Sequence, residues 1–343
     1  MTLSLICHKL RPILSYRDGA VFLPLATRAA SRVVVVLAVL AVGACSSPVS
    51  TSPSTLPSAT ASAAPSSTSA LPVNTGPAIP VLGTENFYAD LLAQIGGSRV
   101  TAASILSDPT ADPHEYEASP TTAKVVADSK LVIVNGIGYD SFMDKLLGAS
   151  TKPDRVVINV QDILGVKDDV NVHVWYDPAT MPKVADAAAT ALAKLDPQNA
   201  PYFAAQKAKY LTALRPVSDK IASLKSKYTG APIAFTENVA GYLTDAIGLK
   251  VLTPLSFMEA IESGTDPAPA DVAAERDLIT GHKVKALLYN SQVTSALTEQ
   301  IRDLALRNNV PVVPVAETIP PPFKTFQDWQ LAQLDDLEKA LAK

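Results

Sequence analysis

The chain contains few cysteines, and that scarcity limits its chemistry. Its 343 residues include two cysteines, Cys7 and Cys45. Cys7 lies in a predicted export signal that ends at residue 44, so Cys45 is the only cysteine of the mature chain. The folded body can therefore form no intramolecular disulfide and no thiolate metal site.

Sequence signatures of several enzyme classes are also absent. The chain has neither the H-E-x-x-H helix of zinc proteases nor the G-x-S-x-G elbow of serine hydrolases. Gly136-Ile137-Gly138 matches half of a dinucleotide-binding fingerprint, but the third glycine is missing. A zinc-dependent hydrolase stays open as an alternative, since its ligands would be similar, with an open position for an activated water.

Long hydrophobic runs are limited to the N-terminal region. Residues 33–42 form an apolar run that follows Arg28 and Arg32, and ten residues are too few to span a bilayer as a helix. The run ends in small residues before Cys45, a pattern typical of a lipoprotein signal. We predict a signal peptide over residues 1–44, lipidation of Cys45 and an extracytoplasmic, membrane-anchored protein; a plain signal peptide is the alternative.

The next stretch has no charged residue, and the chain without its predicted signal peptide has a net negative charge. Residues 45–78 are rich in Ser, Thr, Pro and Ala without any charged residue, a composition that cannot bury a core and predicts a flexible tether. Without residues 1–44 the chain has 24 basic and 32 acidic residues, a net charge of −8. This balance argues against nucleic acid as a partner.

The body alternates between strand and helix patterns. Short apolar runs alternate with amphipathic segments on both sides of a long helical pattern over residues 199–228, which contains Pro216. This alternation predicts an α/β fold with two lobes, residues 79–198 and 229–343, each a mostly parallel sheet flanked by helices. An interior proline removes a backbone hydrogen bond, so we expect a kink in the long helix.

Histidine is scarce, and two of the four histidines lie in similar loops. His114 follows Asp112-Pro113, and His173 begins His173–Pro178. Glu237 follows an apolar strand pattern that ends at Phe235. Two imidazoles and a carboxylate on separate loops can converge on one divalent metal at the carboxyl ends of the strands, in the cleft between the lobes. His282 lies at a predicted helix end, where a cation interacts favourably with the helix dipole, and is not expected to bind metal.

Four stretches of this chain resemble one protein family. They are 112–120 (DPHEYEASP), 130–139 (KLVIVNGIGY), 173–178 (HVWYDP) and 236–243 (TENVAGYL). Together they resemble the zinc- and manganese-binding lipoproteins of bacterial ABC importers. The resemblance implies two lobes joined by one long rigid helix over residues 199–228, metal capture between the lobes, and delivery to an ABC permease and its ATPase.

The resemblance also implies a ligand set. It gives His114, His173 and Glu237 as metal ligands, and it places Asn290 in the region of the family's fourth ligand, which is often acidic. Water or a bidentate Glu237 would complete the coordination if the neutral Asn290 does not. Nitrogen and oxygen ligands without thiolate favour Zn²⁺, with Mn²⁺ as the alternative. We expect a monomer that is not an enzyme, and a surface adhesin with incidental metal binding is a further alternative.

Overall fold

A computed structural model describes residues 76–343 of the chain. The signal peptide, Cys45 and nearly all of the predicted tether lie outside the described residues. Within residues 76–343, no helix is both long enough and apolar enough to cross a membrane.

The N-lobe is a four-stranded parallel sheet flanked by helices. Its strands lie in the order β2-β1-β3-β4 and are β1 (Ile79–Glu85), β2 (Val100–Leu106), β3 (Leu131–Val134) and β4 (Val156–Asn159). Its helices are α1 (Asn86–Gly96), α2 (Pro120–Asp128), α3 (Phe142–Ala149), α4 (Val160–Leu164) and α5 (Thr180–Leu195). Strand β3 is buried at all four positions, as expected for a strand covered by helices on both faces.

Two consecutive helices lead from the N-lobe to the C-lobe. Helix α6 (Ala200–Ala213) packs against α1 and α5, and helix α7 (Arg215–Tyr228) packs against helices of the C-lobe. The single long helix expected over residues 199–228 is therefore divided at Leu214. Pro216 lacks a backbone N–H, so the hydrogen-bond ladder is interrupted there, although Leu214 keeps a helical backbone conformation.

The C-lobe repeats the topology of the N-lobe. Its parallel strands lie in the order β6-β5-β7-β8 and are β5 (Pro232–Phe235), β6 (Lys250–Val251), β7 (Leu287–Asn290) and β8 (Val312–Val315). Its helices are α8 (Gly241–Ile247), α9 (Leu255–Glu262), α10 (Pro269–Thr280), α11 (Ala296–Arg307) and α12 (Phe326–Leu341). The two-lobed α/β fold predicted from the sequence is confirmed.

Several local expectations differ from the structure. Asp177 followed by Pro178 is typical of a helix start, but α5 begins only at Thr180, because Asp177 Oδ1 accepts the backbone N–H of Ala179 in a turn that precedes the helix. Helices α4 and α9 were not predicted, since at five and eight residues each is shorter than the window over which helical periodicity is recognised in sequence.

An aromatic core joins the lobes beneath the loops that carry the histidines. Trp175 is 4.7 Å from Phe87 of α1, measured between ring centroids, and Phe87 is 6.4 Å from Trp329 of α12. These three rings are almost completely buried. Helix α1 also exchanges two hydrogen bonds with the C-lobe, since the Asn86 amide donates to Ile319 O and accepts from Ile319 N. The loops that carry the histidines therefore lie on a closely packed core to which both lobes contribute.

Candidate metal centre

His114 lies on the loop that follows β2. Asp112 Oδ1 accepts a hydrogen bond from the backbone N–H of His114 (2.8 Å), and Pro113 opens a short 3-10 turn over Pro113–Glu115. The fixed φ of proline and the Asp112 hydrogen bond together hold the imidazole in place. The side chain is 20% exposed, and its Nε2 atom faces two carboxylates of the C-lobe.

His173 lies deeper, on the loop before α5, and is fully buried. Asn171 Oδ1 accepts from the backbone N–H of His173 (3.0 Å) and lies 2.8 Å from its Nδ1. Because Asn171 Oδ1 can only accept, Nδ1 carries a proton and Nε2 is left to face the C-lobe carboxylates. The Trp175 ring lies against the imidazole, with 5.2 Å between ring centroids.

Glu237 is the second residue beyond the end of β5 and is fully buried. Its Oε1 atom lies 3.5 Å from His114 Nε2 and 3.8 Å from His173 Nε2. Among residues 76–343, Oε1 accepts no hydrogen bond although it is inaccessible to solvent. A buried carboxylate oxygen without a donor is costly, so this atom has the environment of a metal ligand.

Glu317 was not predicted, yet it completes the cluster. It is the second residue beyond the end of β8, the same position that Glu237 occupies relative to β5. Its Oε2 atom lies 3.3 Å from His114 Nε2 and 3.2 Å from His173 Nε2. The shared spacing, a glutamate two residues after an apolar strand, is the sequence signal that could have identified Glu317.

The four side chains form one compact donor group. One ligand atom from each of His114, His173, Glu237 and Glu317 lies within 4.8 Å of the other three. The N-lobe supplies both nitrogens and the C-lobe supplies both oxygens. Two carboxylates would balance the charge of a divalent cation that the two neutral imidazoles also bind, and donors of these two types suit zinc.

Asn290 does not take the role of fourth metal ligand that the sequence suggested for it. It ends β7, and its Nδ2 donates to Glu237 Oε2 (2.6 Å) and to Glu317 Oε1 (2.7 Å). Its Oδ1 accepts from the backbone N–H of Gln292 (3.0 Å). Only the NH₂ group can donate to two carboxylates, so the amide turns its oxygen away from the cluster. The position expected for Asn290 in the donor group is taken by Glu317.

The turn after β3 brings a tyrosine into the cluster. All residues of Gly136–Gly138 have a positive φ, between 57° and 80°. This left-handed turn places the Tyr139 ring edge-on to His114, with 5.2 Å between centroids, and its hydroxyl donates to Glu317 Oε2 (2.9 Å). Gly136 and Gly138, which match only half of a dinucleotide-binding fingerprint, thus form a sharp turn beside the candidate metal centre.

Gln292 ties the two lobes together beside the centre. Its Oε1 accepts the backbone N–H groups of Glu317 (2.6 Å) and Thr318 (3.0 Å). Its Nε2 donates to the carbonyls of Asp108 (3.2 Å) and Ala111 (3.1 Å), on the loop that leads to His114. One buried amide therefore links the backbone of Glu317 to the His114 loop.

The electrostatics of the cluster favour cation binding. Burial works to lower the pKa of His114, but the nearby carboxylates of Glu237 and Glu317 outweigh it and raise this pKa to about 11. Burial also works against the Glu317 carboxylate, yet the nearby imidazoles of His114 and His173 outweigh it and bring its pKa well below the usual range. Burial and the charge of Glu317 raise the pKa of Glu237. In the absence of metal, a proton on His114 thus provides the positive charge that the carboxylates require.

His282 lies away from this group. It follows α10, and its backbone N–H donates to Ile279 O (3.1 Å). That bond closes the turn after the helix, where His282 has a positive φ of 50°. The residue lines a surface groove with Pro232 and Lys283, at the edge of the C-lobe sheet where the strands begin. The candidate metal centre lies at the opposite edge, where the strands end.

Comparison with known proteins identifies the family of this chain. Residues 81–340 match the protein family described as zinc-uptake complex component A, periplasmic. The chain belongs to this family. The resemblance predicted from the sequence is therefore confirmed.

Individual relatives of this zinc-uptake family are distant in sequence. A manganese-binding lipoprotein of Halalkalibacterium halodurans is 24% identical over 212 residues, covering 59% of this chain and 70% of the relative. A manganese ABC transporter substrate-binding lipoprotein of Streptococcus pneumoniae is 23% identical over 264 residues, covering 69% of this chain and 79% of the relative.

Solved structures share the fold. The periplasmic zinc-binding protein TroA from Treponema pallidum superposes with a TM-score of 0.66 at 19% identity, covering 78% of this chain and 100% of that protein. The solute-binding protein FpvC from Pseudomonas aeruginosa, in complex with Mn²⁺, gives a TM-score of 0.63 at 20% identity, covering 76% of this chain and 98% of that protein. At these identities the likeness establishes the two-lobed architecture alone.

Proposed function

We propose that this protein is an extracytoplasmic solute-binding protein that captures a divalent metal ion between its lobes and delivers it to an ABC permease. The observation that carries the proposal is the group of four donors, two from each lobe, within 4.8 Å of one another. Family membership supports the transport role, and the names of the relatives associate them with metal-specific ABC importers.

Zinc is the proposed preferred metal, with manganese as the alternative. Two imidazole nitrogens and two carboxylate oxygens suit a tetrahedral zinc site. Sites of this donor type also bind zinc more tightly than manganese in the general order of divalent metal affinities. Relatives are named for zinc and for manganese, so the family alone does not select between these metals.

Access to the centre is through an acidic groove. His114 lines a groove between the lobes together with Asp168 and Asp169 of the N-lobe and Glu259 and Glu262 of the C-lobe. Of the four proposed ligands, His114 alone is partly exposed. Acidic walls raise the local concentration of cations, so the groove supports the capture of a divalent metal.

We also propose the membrane arrangement predicted from the sequence. A lipid on Cys45 and a tether over residues 45–78 would hold a monomeric body near its permease and ATPase. A hydrolase is disfavoured because four protein donors fill a tetrahedral shell, whereas a catalytic zinc site keeps one position for water. Turnover assays with a chelator control would separate an enzyme from a binding protein.

The decisive experiment is a calorimetric titration of metal-free protein with zinc and with manganese. We expect one metal per chain in the parent, and a strong loss of affinity in His114→Ala, His173→Ala, Glu237→Ala and Glu317→Ala. His282→Ala is the matched control and should bind like the parent, because it lies at the opposite edge of the sheet. Parent-like zinc binding by both histidine variants would refute the proposed site.

A further inference from the structure

The side chain of Asn290 lies between the two carboxylates of the candidate centre. Both hydrogens of its amide are used, one on Glu237 Oε2 at 2.6 Å and one on Glu317 Oε1 at 2.7 Å. Its Oδ1 accepts the backbone N–H of Gln292, and its own backbone N–H donates to Thr236 Oγ1 at 3.0 Å. The residue is fully buried, so these bonds fix the amide in one orientation.

The order of the strands explains this placement. Strand β7 lies between β5 and β8 in the C-lobe sheet. Glu237 follows β5, Glu317 follows β8, and Asn290 ends β7. The residue at the end of the middle strand therefore lies between the carboxylates that follow its two neighbours.

Asn290 divides the four carboxylate oxygens into two pairs. Glu237 Oε2 and Glu317 Oε1 accept from the amide, whereas Glu237 Oε1 and Glu317 Oε2 face the histidines. Each carboxylate is thus left with one oxygen for a metal ion. Chelation through both oxygens would require breaking a short, buried hydrogen bond from the amide, which would leave a polar group without a partner.

We propose that Asn290 is the positioning residue that sets the metal preference of this centre. By holding one oxygen of each carboxylate, it restricts the protein to two nitrogen and two oxygen donors. A four-donor tetrahedral site favours zinc, while manganese favours six-coordinate, oxygen-rich sites. This inference rests on the proposed function, since it concerns which divalent ion the same centre selects.

Removal of the amide should change the denticity of both carboxylates. In Asn290→Ala and Asn290→Leu, Glu237 Oε2 and Glu317 Oε1 lose their donor and become free to chelate. The leucine side chain keeps most of the buried volume, so it separates loss of the donor from loss of packing. Six protein donors then become available, and we expect manganese binding to be retained or strengthened while zinc binding weakens.

The first test compares zinc and manganese affinities in competition titrations of the parent, both Asn290 variants and Asn308→Ala. Asn308 is the matched control. Its amide is likewise a hydrogen-bond donor, in this case to Leu304 O at 2.8 Å, but it lies at the end of α11. We expect the zinc-to-manganese affinity ratio to fall at least about tenfold in the Asn290 variants and to stay unchanged in Asn308→Ala. An equal loss of both affinities in the Asn290 variants would overturn the inference.

A second test uses Co²⁺ as the probe, and its measurement on the parent does not depend on the folding of any variant. Four-coordinate Co²⁺ absorbs visible light far more intensely than six-coordinate Co²⁺. We expect the intense bands in the parent and weaker bands in Asn290→Leu. If the parent binds zinc but its Co²⁺ form shows only weak six-coordinate bands, the role of Asn290 is refuted and the proposed function stands. If the parent binds none of these ions, the proposed function itself is refuted.

Discussion

The Tyr139 hydroxyl of the N-lobe donates a 2.9 Å hydrogen bond to Glu317 Oε2 of the C-lobe. The same oxygen faces both histidines of the candidate centre, at 3.3 Å from His114 Nε2 and 3.2 Å from His173 Nε2. Tyr139 therefore orients a proposed ligand from the opposite lobe. Such hydrogen bonds to ligating carboxylates tune metal affinity without contact with the metal.

Tyr139→Phe should weaken zinc binding while leaving the fold intact. The substitution removes the donor to Glu317 but keeps the ring that packs against His114 and Trp175. We expect a loss of about 10- to 100-fold in zinc affinity, measured by competition with a chelator. Tyr210→Phe is the matched control, because the Tyr210 hydroxyl is buried in α6 without a hydrogen-bond partner in the described part of the chain. Equal affinity in Tyr139→Phe and the parent would contradict the orienting role.

Zinc binding should release at least one proton near neutral pH. The carboxylates of Glu237 and Glu317, against the effect of burial, raise the pKa of His114 to about 11 in the metal-free protein. The imidazole is thus protonated near neutral pH and must lose that proton to bind zinc. For one proton, affinity should rise about tenfold per pH unit as the pH increases towards that pKa.

Calorimetry in buffers of different ionisation enthalpy measures this release. The observed binding enthalpy should change linearly with the buffer's ionisation enthalpy, and the slope gives the number of protons released. A slope of zero near neutral pH would show that His114 is already neutral in the metal-free protein.

Glu275→Gln should stabilise the protein at high pH. Glu275 is fully buried in α10, and within residues 76–343 neither of its carboxyl oxygens has a hydrogen-bond partner of good geometry. Burial, which outweighs the effect of the nearby Thr253 hydroxyl, raises its pKa from 4.5 to about 8. The folded state therefore favours the neutral acid, so the free energy of unfolding should fall as the pH rises from about 4.5 through about 8. The full shift corresponds to at most about 5 kcal/mol.

Urea unfolding of metal-free protein at about pH 6, within this range, and at about pH 9, above it, tests this expectation. Glu275→Gln should lose less stability than the parent between these pH values, because its amide cannot ionise. Glu299→Gln is the control, since Glu299 is 56% exposed on α11 and should behave like the parent. The same pH dependence in Glu275→Gln and the parent would show that Glu275 does not carry this effect.

Cys45→Ala should release the protein from membranes. The small residues before Cys45 predict lipidation at this position, which lies outside the described residues. We expect the variant in the soluble fraction and the parent in the membrane fraction after cell fractionation. Cys7→Ala should stay with the membrane, because Cys7 belongs to the predicted signal peptide. Unchanged membrane association of Cys45→Ala would exclude the lipid anchor.

The sequence by itself determined the local features of the protein. The alternation of apolar strands and amphipathic helices predicts two α/β lobes, because strand and helix periods are properties of short segments. His114 and His173 were recognisable because each lies in a short motif. In each case the side chain two residues earlier, Asp112 or Asn171, accepts a hydrogen bond from the backbone N–H of the histidine. The proposed ligand Glu237 was found in the same way, directly after a strand pattern.

Only the tertiary structure decided which residues meet. Glu317, which was not predicted, takes the place in the donor group that the sequence suggested for Asn290, because the spacing of the sequence does not reveal the order of strands in a sheet. Strand β7 lies between β5 and β8, so Asn290 holds the two carboxylates while Glu317 joins the donor group. Pro216 already indicated in the sequence that the helix between the lobes is interrupted, whereas the structure shows that α6 and α7 each pack against a different lobe.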